Sequence, residues 1–121
     1  MRIMLVGLIL PLAVPACGVN YGVQDIASVP DNPTYWQDVR PLLHDHCTLC
    51  HGSPPDRGAP ATFRLDVYPD TNGLPGVQSM AGSILHDALV KRMPPGVGEV
   101  EGIGPNGTAM LQKWVDNGKP E

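Results

Sequence analysis

Residues 47–51 have the sequence Cys-Thr-Leu-Cys-His, in which two residues separate a pair of thiols and an imidazole follows the second thiol directly. The residues before this stretch predict a helix that begins at Thr34. Thr34 and Gln37 have the spacing of a capping box, and the apolar residues that follow fall largely on one helical stripe. Pro41 predicts a kink in this helix, or a restart near Asp38. The predicted helix ends directly at the two cysteines.

Three kinds of site use a pair of thiols at this spacing. A zinc ribbon would need a second Cys or Cys/His pair, and the chain has none. A thioredoxin-like dithiol is expected within a βαβ pattern, which is also missing. Covalent haem attachment needs two thiols for the vinyl groups on one side of the porphyrin, and an imidazole under the iron. The sequence therefore predicts that Cys47 and Cys50 hold a haem covalently and that His51 is an axial ligand of its iron.

The second axial ligand is predicted downstream, where Met80, His86, Met93 and Met110 compete. Met80 and Met110 lie on apolar helical stripes and are predicted to be core residues. His86 lies off the apolar face of its helix and is predicted to be solvated. Met93 follows that helix and precedes Pro94, which favours an extended Met93 and a stiff loop. We therefore predict Met93 as the ligand, with a gap-filling core residue as the alternative.

The composition predicts a small domain with a thin hydrophobic core. The chain has 121 residues, of which 42% are hydrophobic, with 14 Gly and 14 Pro. This length fits one domain, and so many loop formers leave a core that needs an additional group. Further helices are predicted over residues 79–91 and 108–117, with Gly118 as a stop and Trp114 as a packing residue. The formal charge of −4 gives no support for nucleic-acid binding.

The N-terminus predicts export. Residues 1–16 hold one basic residue and an apolar run shorter than the ~20 residues that span a bilayer, which is typical of a signal peptide. The stretch Val14-Pro15-Ala16-Cys17-Gly18 resembles a bacterial lipoprotein cleavage box, which implies cleavage before Cys17 and a lipid on its sulfur. The alternative is cleavage nearby, with Cys17 as a free thiol. Residues 17–33 lack periodicity and are predicted to be a flexible tether.

Residues 34–121 together resemble the class I c-type cytochromes, and most closely the single-haem domains of bacterial exported lipoproteins. The resemblance rests on a helix ending in CTLCH, on FRLD, on RMPP after a helix, and on a terminal WVDNG helix. It implies a small all-α fold around one haem c, with Cys47 and Cys50 in thioethers, His51 as the proximal ligand and Met93 as the distal one. It also implies electron transfer with redox partner proteins at the periplasmic side of a bacterial membrane.

The resemblance leaves some roles in the middle of the chain open. The family usually orients its proximal imidazole through a proline carbonyl, for which the candidates are Pro54, Pro55 and Pro60. Residues 59–77 are predicted to be a long loop, in which residues 63–67 alternate like a short strand. Arg64 is a candidate partner of a haem propionate, with a plain surface arginine as the alternative.

An electron carrier is the leading functional interpretation, because the sequence offers no nucleophile–base pair. His44, Asp45 and His46 form a polar run that is predicted to be a solvated helix end. The alternatives are a haem-based sensor of small ligands, in which Met93 is absent from the iron or displaced, and a haem subunit of a larger redox enzyme complex. A structural zinc or disulfide protein is the remaining alternative.

Overall fold

The computed structural model of the chain describes residues 23–94 and 102–121. These residues form a mainly helical domain, which agrees with the predicted all-α class. In chain order the elements are β1 (Val23–Gln24), a π-helical turn (Tyr35–Val39), α1 (Arg40–His46), α2 (Val77–Leu89), β2 (Gly102–Ile103) and α3 (Pro105–Asp116). The two short strands pair in parallel. No helix within the described ranges is long and apolar enough to cross a membrane.

The first helical segment is capped at the predicted residue, Thr34, but the second hydrogen bond of the cap uses a different side chain from the predicted one. The hydroxyl of Thr34 accepts a hydrogen bond from the backbone N–H of Gln37 at 3.4 Å. The return bond comes from the neighbouring side chain, because the Asp38 carboxylate accepts from the Thr34 N–H at 2.8 Å. The predicted restart is confirmed: the N–H of Arg40 donates to the carbonyl of Tyr35 across a wide turn, and α1 then begins with Pro41 in its first turn. There the missing N–H of proline costs no helical hydrogen bond.

The core lies between α2, α3 and the first helical segment. Trp114 and Tyr35 are each 1% exposed, and their ring centroids lie 6.5 Å apart. The Trp114 indole N–H donates to the carbonyl of Pro120 at 2.9 Å, so its polar atom is satisfied. Met80 and Met110 are buried in the same core. The predictions for Trp114, Met80 and Met110 as packing residues are confirmed.

The predicted boundaries of the later helices are close, but the predicted strand is wrong. Helix α2 begins and ends two residues earlier than predicted, and α3 begins at Pro105 instead of residue 108. Gly118 follows α3 with a φ of +82°, as a helix stop requires. Residues 63–67 form no strand, because their backbone groups bond outside a ladder. The N–H of Leu65 donates to the carbonyl of His51 at 2.7 Å, and the carbonyl of Val67 accepts from Val77 at 2.9 Å.

The predicted tether is wrong for residues 23–33, which pack against the domain. Strand β1 pairs with β2, and the Asp25 carboxylate accepts hydrogen bonds from the first turn of α3. Ile26 and Val29 pack against the core, and Pro33 is fully buried. These contacts give a segment without periodicity a fixed path. The predicted signal peptide (residues 1–16), Cys17 and the rest of the tether lie outside the described residues.

Candidate functional site

A cavity of about 250 Å³ opens between the end of α1, the end of α2 and β2. All four side chains predicted to hold the cofactor line it: Cys47, Cys50, His51 and Met93. Most of the remaining wall is apolar and comes from Phe63, Leu65, Ile84, Ala88, Pro94 and Ile103. Residues that are 46 positions apart in sequence therefore meet at one mostly apolar site.

The backbone after α1 positions the two cysteines and the histidine. The N–H of Cys47 donates to the carbonyl of Leu43 at 2.8 Å and so closes the helix. The next turn folds back on Cys47, whose carbonyl accepts from the N–H groups of Cys50 and His51 at 3.2 and 2.9 Å. Gly52 completes this turn, because a Cβ at that position would lie 2.6 Å from the Thr48 carbonyl oxygen.

His51 is oriented by a backbone carbonyl. Its Nδ1 lies 3.3 Å from the carbonyl oxygen of Phe63. A carbonyl oxygen only accepts, so this bond places the proton on Nδ1 and leaves the lone pair of Nε2 available for a metal. The Phe63 ring packs edge-on against the imidazole, with centroids 5.1 Å apart. The imidazole is therefore held in an orientation and a tautomer that suit a metal ligand.

The partner of His51 differs from the prediction, which was the carbonyl of Pro54, Pro55 or Pro60. The N–H of Phe63 donates to the carbonyl of Pro60 at 3.0 Å, and this turn brings residue 63 back to the histidine. Every residue type has a backbone carbonyl, so the sequence does not indicate that Phe63 is the one that accepts from His51.

Both cysteines are free thiols. Burial, with a smaller contribution from the nearby Cys50, raises the pKa of the Cys47 thiol to about 12. Cys47 is therefore an uncharged thiol at neutral pH. The described residues contain no group of three or more His, Cys, Asp or Glu side chains that could hold a metal ion.

Met93 is the one competitor for the second ligand position that lines the cavity within the described part of the chain. Met80 and Met110 are 7% and 2% exposed in the core, and His86 is on the surface as predicted. The turn after α2 places Met93, because the carbonyl of Asp87 accepts from the N–H groups of Arg92 and Met93 at 2.9 and 3.3 Å. The Met93 side chain is 44% exposed, so it lies at the cavity mouth.

The predicted solvated helix end is wrong for His46. His44 and Asp45 are exposed and hydrogen-bond each other at 3.0 Å, whereas His46 is 5% exposed and lines the cavity. The burial of His46 could have been predicted from its spacing to the apolar residues before it. His46 follows Leu42 and Leu43 by four and three residues, so it shares their buried face.

Arg64 lies outside the cavity lining and pairs with a neighbour. Its Nε donates to the Asp66 carboxylate at 2.9 Å. This hydrogen bond holds the pKa of the Asp66 carboxyl below its usual value, against a smaller opposing effect of burial. The role of Arg64 toward a propionate stays a prediction.

Comparison of the chain with models of known protein families, with curated proteins and with solved structures found no match. The function is therefore inferred from the chemistry of the site.

Proposed function

We propose that residues 34–121 are a c-type cytochrome domain that carries one covalently attached haem and transfers electrons. The observation that supports this most is the placement of Cys47, Cys50, His51 and Met93 around one mostly apolar cavity. Cys47 and Cys50 would form the two thioethers, and His51 and Met93 would bind the iron. Met93 lies 42 residues after His51, so its place at the same cavity does not follow from nearness in sequence.

The residues present fit the proposed haem. A porphyrin is a large, mainly apolar plate, and the cavity wall is mainly aliphatic and aromatic. Thioether formation adds a thiol across a vinyl group, and Cys47 and Cys50 are both free. His51 offers Nε2 to the iron because its Nδ1 faces the Phe63 carbonyl.

When bound, the haem supplies an iron that cycles between the ferrous and ferric states. The Phe63 carbonyl fixes the ring of His51 and increases its basicity as a ligand. The thioether of Met93 is a soft ligand that favours the ferrous state and raises the reduction potential. The apolar side chains of Leu65, Ile84 and Ile103 would shield the bound group from water. If His51 and Met93 both bound the iron, no position on it would be left for a substrate, which favours electron transfer.

The proposed location is the periplasmic side of a bacterial membrane, with a lipid on Cys17 as the anchor. The lipoprotein-type cleavage box at residues 14–18 supports this proposal. The partners of an electron carrier in that place are redox proteins.

The exposure of Met93 supports a second candidate function, a haem-based sensor of small ligands. A thioether that is 44% exposed at the cavity mouth is open to displacement by a ligand such as carbon monoxide. In this alternative the same haem is present, and Met93 is the ligand that an incoming small molecule displaces.

Exposed apolar side chains support a third candidate, a haem subunit of a larger redox complex. Leu89 and Val90, which precede Met93 in the chain, are 54% and 51% exposed, and Leu49 between the two cysteines is 47% exposed. Burial of these side chains against a permanent partner would remove apolar surface from water.

An absorption spectrum of the protein, exported from bacteria with the haem-attachment machinery, tests the proposal. The electron carrier predicts a low-spin haem spectrum in both oxidation states, with only slow carbon monoxide binding to the ferrous form at neutral pH, limited by release of Met93. Rapid carbon monoxide binding would replace the carrier with the sensor. A protein without haem absorption would contradict all of these functions.

A further inference from the structure

The carboxylate of Asp25 joins the N-terminal segment to the first turn of α3. Its Oδ2 accepts from the N–H of Asn106 at 3.0 Å, and its Oδ1 accepts from the N–H of Gly107 at 2.8 Å. The side-chain amide of Asn106 donates in return to the carbonyl of Ile26 at 3.0 Å. We name these contacts between residues 24–26 and residues 104–107 the Asp25 clasp.

The clasp requires close approach of two backbones. The N–H of Gly104 donates to the carbonyl of Gln24 at 3.0 Å, directly after the paired strands β1 and β2. A Cβ at Gly104 would lie 2.3 Å from the Cβ of Asp25, which no side chain tolerates. Two glycines and one carboxylate thus hold β2 between the N-terminal segment and α3.

Strand β2 also belongs to the cavity. Ile103 lines the same cavity as Met93. A Cβ at Gly107, which bonds to Asp25, would lie 2.5 Å from Cγ2 of Ile103, so the start of α3 presses directly on this wall residue. Asp25 itself lies outside the cavity lining.

The clasp therefore fixes one wall of the cavity at whose mouth Met93 lies. The backbone of Met93 is held separately, because the Asp87 carbonyl accepts from its N–H. A side chain in a cavity with fixed walls has fewer positions open to it than one whose cavity wall can shift.

We propose that Asp25 is a positioning residue for the axial ligand Met93, acting through β2 and Ile103. This inference rests on the proposed haem and on Met93 as its ligand. Without the clasp, β2 and Ile103 open locally more often, and the cavity wall that confines the Met93 thioether near the iron loosens.

The test compares Asp25→Ala with Asp70→Ala, a matched control. Asp70 also caps backbone with a carboxylate, accepting from the N–H of Gly76 at 2.8 Å at the start of α2. That end of α2 lies about 20 Å along the helix from the end that precedes Met93. Asp31→Ala is a second control in the same N-terminal segment, where Asp31 forms a surface ion pair with Lys113 at 3.7 Å.

The readouts are amide hydrogen exchange over residues 102–107 and the rate of carbon monoxide binding to the ferrous protein. In Asp25→Ala we expect faster exchange and roughly tenfold faster carbon monoxide binding, which corresponds to a tenfold larger population with Met93 released. Asp70→Ala and Asp31→Ala should bind carbon monoxide at the wild-type rate. Urea unfolding of each variant measures its global stability alongside.

Equal acceleration in Asp25→Ala and Asp70→Ala would overturn the inference, because the effect would then follow global stability. Faster exchange in Asp25→Ala with an unchanged carbon monoxide rate would overturn it as well. These outcomes are distinct from failure of the proposed function, which a wild-type protein without covalently bound haem would show before any variant is made.

Discussion

The Nδ1 of His51 lies 3.3 Å from the carbonyl oxygen of Phe63, and this contact holds the imidazole at the cavity. The backbone of His51 is fixed to the same loop, because its carbonyl accepts from the N–H of Leu65 at 2.7 Å. The ring and the backbone of His51 are therefore tied to one segment. The Phe63 side chain is not needed for the hydrogen bond to the ring.

Phe63→Ala should keep the axial ligation of His51 but lower stability. The carbonyl remains, whereas the edge-on contact between the Phe63 ring and the imidazole is lost, at a cost of about 1 kcal/mol beyond the lost buried area. Urea unfolding measures the loss and the absorption spectrum reports the ligation. A changed ligand field in Phe63→Ala would show that the ring, and not the carbonyl, orients His51.

Met93→Ala should remove the weak sulfur-to-iron charge-transfer band at the red end of the ferric spectrum. It should also lower the reduction potential, because the soft thioether that favours ferrous iron is gone.

Met80→Ala and Met110→Ala are the matched controls for Met93→Ala. Both side chains are buried away from the cavity, so these variants should keep the band and lose roughly 2–5 kcal/mol of stability. Loss of the band in either control, with the band intact in Met93→Ala, would reassign the ligand.

The sequence was sufficient to select four side chains that lie at one cavity, because residue type and spacing are visible in it. Cys47, Cys50, His51 and Met93 were predicted from residue type and spacing, and the structure brings them to one cavity. Met93 could be separated from Met80 and Met110 because helical periodicity predicts burial of the latter two.

The sequence was insufficient to predict features that depend on backbone atoms or on contacts between residues far apart in the chain. The Phe63 carbonyl has no residue signature, so the prolines were favoured in its place. Residues 23–33 lack periodicity, yet Asp25 fixes them through two backbone N–H groups that lie 81 and 82 residues away in the chain. His46 has polar neighbours, yet it is buried because it follows Leu42 by one helical turn and so shares its face.

Acid should weaken the Asp25 clasp. Burial acts to raise the pKa of Asp25, but hydrogen bonds from the N–H groups of Asn106, Gly107 and Ile26 together hold it below the usual value of 3.8. A carboxyl with a lowered pKa in the folded state contributes stability that is complete above its unfolded pKa and is lost as the pH falls through its folded pKa.

Urea unfolding of wild type and Asp25→Asn as a function of pH checks this expectation. The wild-type advantage over Asp25→Asn should be constant from neutral pH down to about pH 5 and then shrink below about pH 4. An advantage that stays constant to pH 2 would mean that the charge on Asp25 does not stabilise the fold.

Cys17→Ser should abolish lipid incorporation. The lipoprotein interpretation places the lipid on the Cys17 sulfur, and a serine hydroxyl does not replace that sulfur as the attachment point. Metabolic labelling with a fatty acid measures this directly, whereas membrane fractionation is a poor test because an uncleaved signal also holds the protein there. Labelling that persists in Cys17→Ser would end the lipoprotein interpretation.

Replacement of both thiols, Cys47→Ala with Cys50→Ala, should leave a largely unfolded, protease-sensitive protein. The cavity that the haem is proposed to fill lies against the core residues Leu65 and Ile84, so without the haem this side of a small core is open to water. Circular dichroism checks this, and a native-like helical spectrum of the haem-free variant would contradict it.

The mass of the denatured, exported protein tests the presence of covalent haem most directly. Denaturation removes any group held by ligation or packing alone, so only thioether bonds to Cys47 and Cys50 keep a haem on the chain. We expect the wild-type mass to exceed that of the Cys47→Ala, Cys50→Ala variant by one haem after correction for the two substitutions, because both proteins carry the same modification at Cys17. A wild-type mass without the haem, after export with the attachment machinery, would contradict the account.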